Sequence, residues 1–332
     1  MKLSLTVDAM RCLRFGGAFG SFCGIGSAVT LGATIDSPET RRHLRALRTG
    51  LQAAGCTVLD TGILPLSTQR LLTREEGAAG GITLHNGTFV LTGGNGAVWE
   101  DPDDLFHWED AGAFRYVSPD AFGEIKTVPR GFGVHLRKLS AAVDVEQIRS
   151  CSLQVALCAP ESAGVCAEDM LRKWNCTVFQ TDDPADLPRL AAKENVQIGF
   201  LLDGSGSFCR VCGKNGQLYP AQMTAALVLE HLLEAFPDPA AVTGGTGDFA
   251  EKIACAWNSP LLRSGKNEGD LWELMRQNAI MLGCCGTTGG ILWKRVQNTF
   301  DAFAAMALLL EMLALSGMEI ETIINPIQEK II

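Results

Sequence analysis

Residues 80–87 read Gly-Gly-Ile-Thr-Leu-His-Asn-Gly, GGITLHNG. Asn86-Gly87 is the dipeptide that most strongly specifies a two-residue type I′ turn, because both turn positions need positive φ. Apolar-rich runs flank it, 82–85 before and 88–91 after, so the plain reading is a β-hairpin. A second reading keeps the first strand and takes His85 and Asn86 as polar contacts to a ligand on the loop that follows. A nucleophile on such a loop needs a hydroxyl or thiol, and the position that would carry it holds Leu84.

Outward from this stretch, strands and helices alternate. Residues 28–34 form an apolar strand. A helix follows through residue 54, with Asp36 or Ser37 as its cap, Pro38 in its first turn and Gly55 at its end. Leu44, Leu47 and Leu51 give it one apolar face. A strand at 57–62 and a helix starting near Ser67 lead into the quoted stretch. Residues 97–150 are less regular, with an acidic patch at 100–104 and a helix expected at 139–149. The rhythm restarts with a strand at 152–157, a helix at 164–174, a strand at 177–179, a helix at 184–194 and a strand at 198–202, with Asp203 at its carboxyl end. A turn at 214–216, a helix at 221–234 and the prolines 237 and 239 close that unit. A third unit runs from a strand near Ala241 through helices at 249–257 and 268–278 to the loop 286–290 and an apolar helix at 302–315. The expected fold class is α/β, three consecutive mixed α/β domains at 1–150, 151–240 and 241–332. Identity between the three is too weak to establish a repeat from sequence.

Composition narrows the function classes. The chain has 332 residues, 47% of them hydrophobic and 20% charged, with a formal net charge of −9. Nucleic acid is not expected as a partner, since phosphate backbones call for clustered Lys and Arg. The amino-terminal apolar run is broken by Asp8 and is too short for a signal-peptide core. The run 302–315 is interrupted by Glu311 and falls short of a membrane span. No membrane partner and a cytoplasmic location are expected. Twelve cysteines spread over the chain read as reduced, mostly buried thiols.

The order of segments resembles the α-D-phosphohexomutase family, the phosphoglucomutases and phosphomannomutases, over most of the chain. Residues 50–65, GLQAAGCTVLDTGILP, resemble the helix and strand before that family's phosphoserine loop. GGITLHN falls on its Gly-Gly-(x)n-Thr-Ala-Ser-His-Asn-Pro signature. Residues 202–217, LDGSGSFCRVCGKNGQ, align without a gap on its metal loop, Asp-Gly-Asp-x-Asp-Arg, and on the hairpin after it. Residues 283–291 fall on its sugar loop, Gly-Glu-x-Ser-Gly. The resemblance implies two phosphoryl transfers through a phosphoserine, assisted by magnesium on carboxylates.

This chain departs from each chemical part of that pattern. The serine position is Leu84. Asp203 stands in the metal loop, but Ser205 and Ser207 replace its partners and Phe208 replaces the arginine. Gly286 or Thr287 stands at the sugar-loop glutamate, and residues 32–36 carry no arginine. The chain also stops near the end of the family's third domain, so the fourth, phosphate-binding domain is expected to be missing. The implied function is a catalytically inactive relative that binds a sugar phosphate or another anion, or regulates carbohydrate metabolism. Its candidate ligand residues are His85, Asn86, Asp203, Gly204, Ser205, Ser207, Thr287 and Thr288. Alternatives are an active mutase with Thr83 or Thr88 as a displaced nucleophile, and a protein-interaction subunit. No cofactor is expected. Magnesium would bind, with Asp203 as the residual ligand, only if the family site were partly retained.

The remaining motifs have plain readings. Small residues at 203–207 leave backbone N–H groups open to an anion, or form a glycine-rich turn with no ligand. Cys209 and Cys212, three apart on a strand, face opposite sides, and no second close pair of suitable spacing completes a zinc site. Lys266, Lys294 and Arg295, the basic residues nearest the third unit's loops, read as solvated charge, and His107 beside Trp108 as surface. A homo-oligomer or a protein partner is expected to cover the third domain.

Overall fold

A computed structural model describes residues 8–99, 114–129 and 131–331, together with Leu105 and Gly112. The acidic patch and the His107-Trp108 pair lie outside the described residues. Two compact units divide the chain, Met1–Val134 and His135–Ile332.

The first unit contains α1 (Ala9–Cys23), β1 (Ala28–Ala33), α2 (Pro38–Ala53), β2 (Thr57–Ile63), α3 (Leu66–Glu75), β3 (Gly80–His85), β4 (Thr88–Gly93) and β5 (Ile125–Thr127). Its sheet has the order β4-β3-β1-β2-β5. All pairs are parallel except β3 with β4. Every residue of β3 is buried, as expected of a strand inside a sheet covered on both faces. Of the two expected caps, Ser37 is the one used: its Oγ accepts the Thr40 N–H, and α2 starts at Pro38. Asp36 instead pairs with Arg41.

Local sequence does not point to α1, because its Gly16, Gly17 and Gly20 disfavour helix. Packing explains it. A Cβ at Gly16 would lie 2.4 Å from the Leu47 carbonyl oxygen, and one at Gly50 would lie 2.1 Å from that of Leu13. The glycines let α1 and α2 touch backbone to backbone. Phe15, Phe19, Leu47 and Leu51 then join Val29, Leu31 and Ile82 in one core. Gly50→Ala is therefore expected to cost about 2 kcal/mol through overpacking, measured as a lower urea midpoint. The usual effect of Gly→Ala inside a helix has the opposite sign.

The second unit opens with α4 (Gly131–Ala142), whose first turn falls before the division, and α5 (Val145–Cys151). The single helix expected at 139–149 is thus two. Asp144 stands between them and starts the second by accepting the Gln147 N–H. Next come β6 (Gln154–Cys158), α6 (Glu161–Lys173), β7 (Thr177–Gln180), α7 (Leu187–Lys193), β8 (Ile198–Leu202), β9 (Cys209–Cys212) and α8 (Ala221–Ala235). The third sheet uses β10 (Ala240–Val242), α9 (Phe249–Ala256), β11 (Leu261–Arg263), α10 (Glu268–Gln277), β12 (Leu282–Cys285) and β13 (Gly290–Trp293). Two helices end the chain, α11 (Ala302–Ser316), with 12 of its 15 residues buried, and α12 (Ile320–Ile331). Among the described residues no single helix is long and apolar enough to cross a membrane.

The sheets β9-β8-β6-β7 and β13-β12-β10-β11 share the plan of the first. In each, the first strand is central, the second lies on one side, the third on the other, and a hairpin strand runs antiparallel outside the third. The repeat that residue identity could not establish is explicit in the topology. Strand order reverses between the first and third strands of each sheet, and ligands of open α/β sheets bind outside the carboxyl ends at such points. Those ends carry the segments singled out in the sequence.

Candidate functional site

In the first unit, β3 and β4 pair through Leu84↔Phe89 and His85↔Thr88. Asn86 has φ +49° and Gly87 φ +70°, the two positive values of a type I′ turn. The hairpin reading therefore holds. Leu84 is 5% exposed and belongs to the apolar core. His85 is also buried. Its Nδ1 lies 2.9 Å from Thr34 Oγ1 and its Nε2 lies 3.3 Å from Asn86 Nδ2. Both ring nitrogens are thus engaged, which fixes the ring in place. Neither threonine near Leu84 is poised as a nucleophile. Thr83 is buried within β3, and the Thr88 hydroxyl donates to the His85 carbonyl oxygen at 2.7 Å.

In the second unit, Asp203 follows β8. Its Oδ1 accepts the N–H groups of Ser207 (2.9 Å) and Phe208 (2.8 Å). Its Oδ2 accepts the Ser205 N–H at 3.1 Å and the Ser205 hydroxyl. Four donors from its own loop thus converge on one carboxylate. The small residues at 203–207 do free the backbone to turn, but three of its N–H groups are spent on Asp203. Of the two readings left open for this loop, the self-contained turn is the one these hydrogen bonds form. The loop is also anchored: the Ala302 N–H donates to the Gly206 carbonyl oxygen at 3.0 Å, and the Phe208 and Phe300 rings meet at 5.8 Å. The residue after Phe300, Asp301, caps α11 by accepting the Phe303 N–H, and its Oδ2 lies 2.8 Å from His135 Nε2. Neither side chain of that pair is exposed.

The carboxyl edge of the third sheet is lined by hydroxyls. Thr243 and Thr246 meet at 3.1 Å, and Thr246 Oγ1 accepts the Gly286 N–H. Thr287 and Thr288 are exposed on the turn between β12 and β13. Gly289, at φ +72°, passes so close to the Ala221 carbonyl oxygen that a Cβ would lie 2.7 Å from it. The structure thereby brings Thr287 and Thr288 together with Cys285, which the sequence reading did not single out. Cys285 Sγ lies 3.2 Å from Thr287 Oγ1. Burial pushes its thiol pKa up, but the hydroxyls of Thr243, Thr287 and Thr288 and the Thr288 N–H outweigh burial and hold it below the ordinary value. Cys284, its neighbour, faces the other side of the strand, and burial pushes its thiol up. Alternation along a strand was the available signal, since only one of two adjacent cysteines can face the loop. A lowered pKa keeps the thiolate present to lower pH. Cys285 is itself buried, so its ionisation is read without a reagent: the thiolate absorbance at about 240 nm that is lost in Cys285→Ser is expected to titrate with a midpoint below the ordinary cysteine pKa. A midpoint at or above that value would show that burial dominates.

Cys209 and Cys212 lie on β9, both buried, and burial pushes Cys209 up and Cys212 to about 11. They are packing residues of low reactivity.

The residues at the metal-loop position do not fit magnesium. A hard cation needs several free oxygen ligands, whereas both oxygens of Asp203 already accept two hydrogen bonds each, and the Ser205 hydroxyl is directed at one of them. Among the described residues no three His, Cys, Asp or Glu side chains form a metal-binding group.

No family model matches the chain. Among curated proteins, a probable phosphoglucosamine mutase of Methanopyrus kandleri is 25% identical over 306 residues, which span 82% of this chain and 65% of the relative. The chain thus spans about two thirds of that relative's length. A phosphoglucomutase/phosphomannomutase family protein from Burkholderia thailandensis superposes with a TM-score of 0.80 at 18% identity, over 98% of this chain and 77% of the other. The open form of the Paramecium phosphoglucomutase parafusin gives 0.74 at 14% identity, over 97% and 71%. The fold is therefore that of the α-D-phosphohexomutases.

Proposed function

We propose that this chain, which carries the α-D-phosphohexomutase scaffold, is a non-catalytic relative that binds a sugar phosphate or a similar anion and acts as a binding or regulatory module in carbohydrate metabolism. The observation that carries the first half is the state of Asp203. A carboxylate that saturates itself with its own loop's donors has no lone pair directed outward for a cation. Leu84 in the hairpin core adds that nothing at the nucleophile position can accept a phosphoryl group. The support for binding is the retained architecture. Three sheets keep loops at their reversal points, and the third presents the hydroxyls of Thr287 and Thr288 to solvent, which can donate to phosphate or sugar oxygens.

Two measurements test this reading. Glucosamine 6-phosphate, glucose 1-phosphate and mannose 1-phosphate, each supplied with magnesium and a bisphosphate activator, are expected to show no interconversion. Turnover that disappears in Asp203→Asn would overturn the non-catalytic reading. A thermal-shift panel of the same sugar phosphates tests binding. A ligand at a hundred times its Kd stabilises by about 2.7 kcal/mol, and no shift from any of them would leave an interaction with another protein as the function.

A further inference from the structure

The other end of the third sheet carries an open groove. It lies where β10 and β12 begin and β13 ends, so the strands separate it from the loops described above. Leu232, Phe236, Met281 and Trp293 make its apolar wall, and Asp238 and Arg295 stand on it. Phe236 is 54% and Met281 39% exposed, a large opening for apolar side chains of that size. Arg295 is exposed, as expected of a surface charge, but it also meets two aromatic rings. Its guanidinium lies 5.5 Å from the Phe236 ring centre and 6.0 Å from that of Trp293, which holds it over the groove. Among the described residues neither Arg295 nor Asp238 has an ion-pair partner. Pro237 and Pro239 restrict the backbone on both sides of Asp238. The Asp238 N–H donates to the Phe236 carbonyl oxygen at 2.7 Å, which fixes that rim further.

Charge complementarity selects the occupant. An apolar anion would satisfy Arg295 but face Asp238, and an apolar amine would do the reverse. A zwitterion presents both charges on one carbon, beside an apolar side chain for the groove wall. We propose that this groove binds a free α-amino acid with an apolar side chain, Arg295 taking the carboxylate, Asp238 the ammonium, and Leu232, Phe236, Met281 and Trp293 the side chain. Sites of this kind combine an apolar lining with a few placed polar groups. The inference is independent of the reading of the opposite edge.

Calorimetry on the full chain tests it, with Trp293 fluorescence as a second signal. L-Leucine is expected to bind saturably, with N-acetyl-leucine and leucinamide each roughly tenfold weaker or worse, the loss of one charge-assisted contact. Arg295→Gln and Asp238→Asn should each weaken leucine by a similar factor. Asp238 is an exposed rim residue, so its variant keeps the test valid if Arg295→Gln disturbs the rings. The proposal is overturned if leucine, methionine and phenylalanine all fail to bind. Equal affinity for leucine and N-acetyl-leucine, or leucine binding unchanged in both variants, would also overturn it.

Discussion

Replacing Asp301 by alanine is expected to destabilise the chain by about 3–5 kcal/mol, the range for removing one partner of a buried pair. Its side chain and that of His135 are both fully buried. The carboxylate does two things there. It satisfies His135 Nε2 at 2.8 Å, and it caps α11 through the Phe303 N–H at 3.0 Å. Alanine orphans an imidazole nitrogen and a helix N–H in a site that water does not reach, and an unmet buried polar group costs about 1–3 kcal/mol. The capping part alone is worth about 1 kcal/mol. Asp301→Asn separates the two, because its amide oxygen can still cap while the charge is gone. Urea unfolding should rank wild type above Asp301→Asn and Asp301→Asn above Asp301→Ala. A loss under about 1 kcal/mol for alanine would place the variant among ordinary surface changes and would mean that the pair is not buried in solution. The effect matters for the site because Asp301 follows Phe300 and precedes Ala302, the two residues that hold the loop at 203–208.

The hairpin at 80–93 was legible because Asn-Gly demands a backbone conformation that few other residues supply, so local chemistry alone specifies it. The three mixed α/β sheets were legible for a similar reason, since each strand and helix carries its own period. What could not be read depends on contacts far apart in sequence. Helix α1 exists because Gly16 and Gly50 meet another helix's backbone, and the same glycines argue against helix when read locally. Arg295 reads in sequence as one of the basic residues nearest the third unit's loops, and only the strand direction reveals that it follows the end of β13 and sits at the opposite edge. Cys285 looked like one of twelve packing thiols until the fold placed three threonines around it. At the loop after β8 the losses of carboxylate were visible in the residues. The use to which the remaining carboxylate is put was not visible, because it depends on where four donors point.

That use leads to the second large effect. Asp203→Ala is expected to cost about 3 kcal/mol of stability, because it leaves three backbone N–H groups and a hydroxyl without their acceptor in a loop whose Ser205 and Ser207 are buried. Asp203→Asn should cost less. Its amide oxygen can keep the Ser207 and Phe208 N–H groups, while its NH2 meets the Ser205 N–H as donor against donor, and the Ser205 hydroxyl can turn to accept. A metal ligand would behave differently. Removing it would leave the metal-free protein as stable as before or more so, since carboxylates gathered for a cation repel one another without it, and magnesium would raise the melting temperature of wild type alone. The expected result is a stability loss that is the same with and without magnesium, with Asn intermediate. Magnesium-dependent stabilisation of wild type that vanishes in Asp203→Asn would show that the loop reopens for a cation, and would return the chain to the catalytic class that its scaffold represents.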